Sequence, residues 1–230
     1  MLPEVVWAMP EYGTFNVHAA LLPQYRGAAP INWAVINGET ETGVTTFFLD
    51  HDIDTGRIIL KKHFPIPDDA NVEYVYDGLM HLGAEICLET LEAIVAADGH
   101  PESIAQEETL STSEALKAAP KIFKETCEIN WEQSAKQVYD FVRGLSPYPG
   151  AWTTLVAPDG KETVLKIFKT SRTTYRQGVL RSLAVVDHKP CIWASDELLM
   201  IEELQLAGKK RMMARDFLNG IKNIEQYHVK

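Results

Sequence analysis

Apolar positions recur with two different periods along the first hundred residues. Three short runs rich in β-branched and aromatic residues predict strands: Phe15–His18, Gly43–Leu49 and Arg57–Ile66. Helical spacing of apolar residues instead runs through Ala28–Asn37 and through Val72–Ala97, and Asn71 can cap the second of these helices. Because strands and helices alternate, we predict an α/β fold for this part of the chain.

The second half of the chain has a different pattern. After an amphipathic helix predicted at Gln133–Leu145, short strand-like runs follow one another with turn residues between them. The runs are Ala151–Ala157, Thr163–Lys169, Gly178–Val186, Ile192–Ala194 and Leu198–Leu206. Such a succession predicts a small β-barrel of the OB-like type. A polar, irregular stretch separates the two patterns and predicts a linker, which divides the chain into residues 1–100, 101–120 and 121–230.

The charge balance changes near the same point. Residues 1–116 carry four Lys or Arg against 19 Asp or Glu, whereas residues 117–230 carry 18 against 13, within a net charge of −10. A basic part joined to an acidic part favours a polyanionic partner, such as nucleic acid, for the basic part. A small positive excess is also common by chance, so both interpretations stay open at this point.

Composition argues against several classes of protein. No apolar run approaches the roughly 18 residues that a membrane-spanning helix needs. The first residues also lack the basic start and long apolar stretch of a secretory signal. The three cysteines, Cys87, Cys127 and Cys191, lie too far apart to suggest a disulfide framework or a zinc site. We therefore expect a cytoplasmic protein with reduced thiols and no membrane contact.

Polar residues that suit acyl transfer lie at the end of the first predicted strand. Asn16 and His18 are two apart, so their side chains project to the same side, and Asp54 lies in the polar loop that follows the next strand. An amide and an imidazolium can donate hydrogen bonds to the oxyanion of a tetrahedral intermediate, and a carboxylate favours the charged imidazole. A strand-end histidine that only completes the core is the alternative interpretation of His18.

Two metal-binding interpretations concern the segment Asp50–Asp54. Its carboxylates stand at the first, third and fifth places of an EF-hand loop, but Thr55 replaces the turn glycine and Lys61 replaces the bidentate glutamate. Calcium binding is therefore rejected. A transition-metal site that includes His18 and His51 stays open, although no paired-histidine or Cys/His spacing supports it. We expect no metal, and the absence of a glycine-rich phosphate loop predicts no nucleotide site.

Longer motifs carry a resemblance to a known family. The stretch Asn16–Pro30, followed by Asp50–Gly56, closely resembles the formyltetrahydrofolate-dependent formyltransferases. Within that family the chain is most similar to the branch that formylates methionyl-tRNA. Further motifs of this branch recur in the same order: Tyr25–Ile31, Trp131, Pro147–Trp152 and Gly208–Met212. The resemblance covers essentially all 230 residues.

The resemblance implies a fold, a reaction and a set of site residues. The fold is part of a doubly wound, formyltransferase-like sheet followed by an OB-like β-barrel. The reaction transfers a formyl group from 10-formyltetrahydrofolate to the α-amine of methionyl initiator tRNA, without a metal. Asn16, His18 and Asp54 are implied as the catalytic residues, with His18 protonated beside Asp54. The implied folate contacts are Ala20, Leu21, Leu22, Pro23, Asp50, His51, Asp52 and Ile53.

The resemblance also suggests a role for the basic half of the chain. Basic side chains in or beside the predicted barrel strands, with one arginine from the first half, would face tRNA phosphates. These residues are Arg26, Lys166, Lys169, Arg172, Lys209, Lys210 and Arg211. The alternative interpretation is a solvated basic rim.

The chain departs from the family pattern in two places. Ala19 and Ala20 stand where the family usually has Pro-Ser, which removes a hydroxyl near the folate pocket. Family members also carry a further amino-terminal segment, so we expect a fragment whose strand at Phe15 exposes a hydrophobic sheet edge and self-associates. Other candidate functions are formyl transfer to a UDP-amino sugar or another small amine, and tRNA binding without catalysis.

Overall fold

The computed structural model describes residues 2–110 and 115–230. Its contacts divide the chain into two compact units. The first comprises Glu39–Ile122 with the residues that precede Val35, and the second comprises Phe123–Lys230 with Val35–Gly38. Among the described residues, every helix is too short or too polar to span a membrane.

Up to Ile122 the chain forms an antiparallel sheet, a short parallel strand pair and one long helix. The elements are α1 (Glu4–Trp7), β1 (Phe15–His18), β2 (Arg26–Gly27), α2 (Pro30–Ile36), β3 (Glu41–Phe48), β4 (Ile58–Pro65), α3 (Val72–Ala96), a 3₁₀ turn at Gln106–Thr109 and β5 (Ala118–Ala119). The antiparallel sheet has the order β1-β3-β4, so among the described residues β1 is an edge strand. The parallel pair joins β2 to β5.

The long helix α3 begins where the sequence predicts it. Asn71 caps it, because its side-chain oxygen accepts a hydrogen bond from the Tyr74 backbone N–H at 3.0 Å. The helix packs on β3 and β4. At this contact the Thr90 and Thr46 hydroxyls lie 2.8 Å apart, both buried. The predicted helix and its cap are therefore confirmed.

From Phe123 onwards the chain is mostly β-structure. The elements are a 3₁₀ turn at Glu125–Cys127, α4 (Ala135–Gly144), β6 (Ala151–Val156), β7 (Glu162–Arg172), β8 (Leu183–Val186), β9 (Lys189–Trp193), β10 (Leu198–Leu206), β11 (Met212–Met213), α5 (Ala214–Leu218), a 3₁₀ turn at Ile224–Gln226 and β12 (His228–Val229). The strands pair in the order β12-β6-β7-β10-β9-β8, and β11 pairs with β10. An antiparallel bridge between Ser182 and His228 joins the two ends of this order. Such a connection is what an OB-like barrel needs to close.

Local capping and core packing position the elements of the second unit. Ser134 forms a capping box with Gln137, which fixes the start of α4. Trp131 is fully buried, and its indole N–H donates to the Thr153 hydroxyl at 3.0 Å. A buried indole needs such a partner, so Trp131 also fixes the position of β6.

Described residues of the predicted linker at 101–120 make close contacts within the first unit. Ile104 forms an antiparallel bridge with Ile58, Gln106 is fully buried, and β5 pairs with β2. These contacts tie part of the stretch to the first unit. The division of the chain at residues 100 and 120 stays a prediction.

Candidate active site

His18 ends β1 with its ring buried. Its side chain is 6% exposed, whereas Asn16, on the same face of the strand, is exposed. The His18 Nε2 lies 3.0 Å from the carbonyl oxygen of Tyr25. Because a carbonyl only accepts hydrogen bonds, Nε2 is the nitrogen that carries the proton. Nδ1 is then the nitrogen with the lone pair in the neutral ring.

Asp54 brings a carboxylate to the other side of the ring. Its Oδ2 lies 3.8 Å from His18 Nδ1 and accepts a hydrogen bond from the Gly27 N–H at 3.0 Å. The Asp54 backbone is left-handed, with φ of +57°. At Gly56, two residues later, a Cβ would lie 1.7 Å from the Phe48 carbonyl oxygen. Only glycine permits that approach, so the loop conformation itself requires glycine at position 56.

Burial affects the pKa of His18 more than its polar neighbours do. It lowers the pKa of the imidazole, and the Asp54 carboxylate and the Tyr25 carbonyl, which both raise the pKa, do not outweigh it. The direction of this shift favours the neutral ring over the protonated form that the resemblance implies. The physical reason is that charging a nearly inaccessible ring is costly, while a carboxylate at 3.8 Å makes no direct hydrogen bond to it.

Gln106 connects the Asp54 loop to Arg26. Its Nε2 donates to the carbonyl oxygens of Asp54 and Gly56, both at 2.8 Å. Its Oε1 accepts from Arg26 Nε at 3.1 Å and from Arg26 Nη2 at 2.7 Å. Arg26, expected at a tRNA phosphate, uses two donor nitrogens inside the first unit, and its contact with tRNA stays a prediction. Sequence reasoning missed Gln106 because it lies in a polar, irregular stretch with no motif.

Three of the residues expected to contact folate are buried. Ala20, Leu22 and Pro23 are inaccessible, and Leu22 packs beside Phe47. The Thr45 hydroxyl donates to the Ala20 carbonyl at 2.7 Å and accepts from the Leu22 N–H at 3.1 Å. These side chains are therefore buried in the first unit, and their assignment as folate contacts stays a prediction.

The other expected folate residues are accessible to a ligand. Asp50, His51 and Asp52 are exposed, and Ile53 is 56% exposed directly before Asp54. Leu21 is half-buried and lines a cavity of about 240 Å³. The other residues that line this cavity are Gln24, Tyr25, Glu39, Thr40, Glu41, Thr42 and Lys117.

The basic residues expected at tRNA in the second unit fall into two groups. Arg172 pairs with Glu197 at 3.1 Å, and Arg211 bonds to Glu203 and stacks over the Phe168 ring at 4.4 Å. Lys166 donates to the Pro149 carbonyl at 3.2 Å. Exposed lysines without an ion pair in the described part of the chain form the second group: Lys169, Lys209 and Lys210.

Cysteine and metal chemistry find little support in the described ranges. No three His, Cys, Asp or Glu side chains converge there as metal ligands. All three cysteines are free thiols. Burial raises the pKa of Cys127 and raises that of Cys191 to about 11, which makes both poor nucleophiles.

Comparison with known proteins covers both units. A family model described as "Formyl transferase" matches residues 1–91, and one described as "Formyl transferase, C-terminal domain" matches residues 121–222. The chain is 55% identical to the methionyl-tRNA formyltransferase of Parabacteroides distasonis and 53% identical to that of Bacteroides fragilis. Both alignments cover 100% of this chain and 71% of the relative.

Solved structures show the same architecture. HypX from Aquifex aeolicus, determined with tetrahydrofolic acid, aligns with a TM-score of 0.63 at 24% identity over 94% of this chain and 36% of that one. The sugar 3N-formyl transferase WlaRD aligns with a TM-score of 0.60 at 20% identity over 85% of this chain and 66% of that one. At such identities the likeness indicates a shared fold.

Proposed function

The chain belongs to the methionyl-tRNA formyltransferase family and is a formyltransferase, and on that premise we propose that it formylates the α-amine of methionyl initiator tRNA with 10-formyltetrahydrofolate as donor. The proposal includes Asn16, His18 and Asp54 as the catalytic residues. The observation that carries it is the 3.8 Å approach of Asp54 Oδ2 to His18 Nδ1, two residues after Asn16 on the same strand face. In this role the enzyme acts in the cytoplasm at the start of translation.

The neutral form of His18 suits the first step of this reaction. His18 Nε2–H stays on the Tyr25 carbonyl, which leaves Nδ1 as the proton acceptor beside Asp54. As the methionyl nitrogen bonds to the formyl carbon, Nδ1 takes a proton from that nitrogen, and Asp54 stabilises the resulting imidazolium. The Asn16 amide donates to the formyl oxygen as it becomes negative.

The second step returns the proton. When the tetrahedral intermediate collapses, the bond between the formyl carbon and the donor nitrogen breaks. His18 Nδ1 gives its proton to that leaving nitrogen and becomes neutral again. The proton and the formyl group are thus both accounted for, and burial favours the neutral ring at the end of the cycle.

The accessible residues beside Asp54 are the proposed contacts of the folate donor. Ile53 offers an exposed apolar side chain, and Asp50 and Asp52 offer carboxylates that accept N–H groups. A pterin ring has both a flat apolar face and N–H donors, so this combination fits the group. Leu21 and His51 complete the proposed set.

The proposed tRNA contacts are basic side chains of the second unit. Three of them carry exposed charges: Lys169, Lys209 and Lys210. Three others already have a partner inside the unit: Lys166, Arg172 and Arg211. Phosphates bind such exposed cations in exchange for released counterions. The proposed boundaries of this tRNA-binding domain are residues 121–230, after the catalytic portion at 1–100.

The direct test is formylation with competing acceptors. The chain is incubated with 10-formyltetrahydrofolate and either methionyl initiator tRNA or a UDP-amino sugar. We expect formyl-methionyl-tRNA and no formylated sugar. Formylated sugar instead, or tRNA binding without formylation, would overturn the proposal in favour of one of its alternatives.

Self-association belongs to the same proposal. β1 is an edge strand among the described residues, and Val5 and Met9 nearby in the sequence are more than 70% exposed. An open edge of this kind templates pairing with a second chain. We expect oligomers of the 230-residue chain in size-exclusion chromatography, and a monomer at micromolar concentration would contradict this expectation.

A further inference from the structure

Gln106 is the most completely bonded polar side chain next to the proposed catalytic residues. It is fully buried, and both ends of its amide are used. The two Nε2 protons go to the carbonyl oxygens of Asp54 and Gly56, and Oε1 accepts from the Arg26 guanidinium. Only this orientation is consistent with the partners, because carbonyls cannot donate and a guanidinium cannot accept.

Gln106 hydrogen-bonds the Asp54 loop at a point where the backbone conformation is unfavourable. Asp54 has a left-handed φ of +57°, which costs energy for a residue with a side chain. The two hydrogen bonds from Gln106 hold the carbonyls at the start and end of the Asp54–Gly56 turn. Without these two hydrogen bonds, we expect the loop to leave that conformation and to displace the Asp54 carboxylate.

Lys117 and Ala119, which follow Gln106 in the chain, hydrogen-bond the segment on the other side of the His18–Asp54 pair. The Lys117 carbonyl accepts from the Tyr25 N–H at 2.6 Å, and the Ala119 carbonyl accepts from the Ala28 N–H at 2.7 Å. Gly27 lies so close to Ala119 that a Cβ there would be 2.4 Å from its carbonyl oxygen. Tyr25 in turn accepts from His18, and Gly27 donates to Asp54. Gln106, Lys117 and Ala119 thus contact the loops on both sides of the His18–Asp54 pair.

From this arrangement we propose that Gln106 is a positioning residue for formyl transfer, which holds Asp54 at its distance from His18 through the carbonyls of the Asp54–Gly56 turn. The inference rests on the proposed function of His18 and Asp54. It gives part of the predicted linker a role in the chemistry of the first unit.

Two substitutions distinguish the roles of the donor end and the acceptor end of the Gln106 amide. Gln106→Leu removes both ends. Gln106→Glu keeps an acceptor for Arg26 but replaces the donor that faces Asp54 and Gly56 with a second carboxylate oxygen. If positioning depends on the donor, both variants lower kcat by about 10- to 100-fold, the size of effect expected when a reacting group is displaced by about 1 Å. The KM for methionyl-tRNA stays within twofold.

The matched control removes a buried hydrogen bond elsewhere in the first unit. Thr90→Val breaks the contact with the Thr46 hydroxyl on β3. Neither the Asp54 loop nor Gln106 takes part in that contact. The substitution lowers the melting temperature, as the Gln106 variants do, but leaves kcat unchanged. If Gln106→Leu does not fold, Gln106→Asn, which is one methylene shorter, takes its place and is expected to lower kcat as well.

A second readout does not depend on turnover. The His18 ring is titrated by NMR in each variant of the 230-residue chain. Displacing Asp54 removes a charge that raises the pKa of His18, so that pKa falls further in the uncharged variants Gln106→Leu and Gln106→Asn than in the parent or in Thr90→Val. An unchanged His18 titration together with normal kcat in Gln106→Leu or, where that does not fold, in Gln106→Asn overturns the inference.

Two further variants separate this inference from the proposed function. If His18→Ala and Asp54→Asn both retain normal turnover, the proposed catalytic residues are wrong, and the role of Gln106 falls with them. If these two variants lose activity while all folded Gln106 variants keep it, only the positioning role is overturned.

Discussion

The two units of this formyltransferase use their polar residues in opposite ways. In the first, His18 and Gln106 are nearly inaccessible, and the His18 Nε2 and both ends of the Gln106 amide have specific partners at 2.7–3.1 Å. In the second, Lys169, Lys209 and Lys210 are exposed side chains without ion pairs among the described residues. We expect the function of the buried residues to depend on interatomic distances. We expect the function of the exposed lysines to depend on the number of positive charges.

This difference predicts two kinds of mutational response. A buried hydrogen-bonded group in a low-dielectric site cannot be replaced by a neighbour, so its loss is large and specific. An exposed lysine contributes to a summed field that salt screens, so its loss is smaller and is shared among several residues. Substitutions of the buried residues are therefore expected to have larger effects than substitutions of the exposed lysines.

The largest effect is expected at the buried pair. His18→Ala and Asp54→Asn each lower turnover by at least roughly 100-fold, since proton transfer by a positioned side chain typically contributes about 10²- to 10⁴-fold to the rate. Steady-state formylation of methionyl-tRNA measures it, and circular dichroism checks folding. Thr90→Val, which perturbs the same unit away from the loop, serves as the control. Near-normal turnover in either site variant would remove it from the catalytic set.

An intermediate effect is expected when the exposed lysines are removed together. Lys169→Ala, Lys209→Ala and Lys210→Ala combined reduce the salt dependence of tRNA binding by about one unit of slope per lysine, on a log–log plot. Filter binding at several salt concentrations gives the slope. Lys161→Ala, at an exposed turn outside this set, is the control for net charge. Binding that does not respond to salt in the parent chain would contradict a phosphate contact.

A smaller effect is expected at the paired arginines. Arg211 already bonds to Glu203, so Arg211→Ala changes the salt slope less than Lys209→Ala does. Glu203→Gln has the opposite sign, because it leaves the Arg211 charge uncompensated, and it strengthens tRNA binding at low salt. The same filter-binding assay compares them. Equal slopes for Arg211→Ala and Lys209→Ala would show that pairing does not matter here.

The smallest expected effect is a pH dependence of stability. Burial holds the pKa of His18 below its unfolded value of about 6.5. As the pH falls below that value, the unfolded chain binds a proton that the folded chain does not, so stability is lost. In urea unfolding at pH 7.5 and 5.5, the parent therefore loses more free energy of unfolding than His18→Gln. Equal losses would mean that the pKa of His18 is the same in the folded and in the unfolded chain.

Features set by local pattern are predictable from this sequence. The bounds of the strand Leu198–Leu206 agree with the prediction, and α3 with its Asn71 cap ends within one residue of it. Both depend on apolar period and capping chemistry, which neighbouring residues in the chain encode. The proximity of His18 and Asp54 was also anticipated, but through a family motif rather than through the period of apolar residues.

Features set by packing between distant segments are not predictable in the same way. Gln106 lies in a polar stretch, 80 residues after its partner Arg26, and no periodicity indicates that the two meet. The charge of His18 depends on how deeply its ring is buried, which a four-residue strand does not reveal. The burial of Ala20 and Leu22 likewise results from the way Thr45 ties their backbones to the sheet.

The central claim is that the neutral His18, held beside Asp54, carries the transfer step. Single-turnover formylation of methionyl-tRNA, with enzyme in excess and donor saturating, measures that step apart from tRNA affinity. His18→Ala is expected to slow the single-turnover rate by at least roughly 100-fold, because proton transfer by His18 is lost, while Thr90→Val leaves it unchanged. A His18→Ala rate within a few fold of the parent would show that His18 does not take part in the transfer.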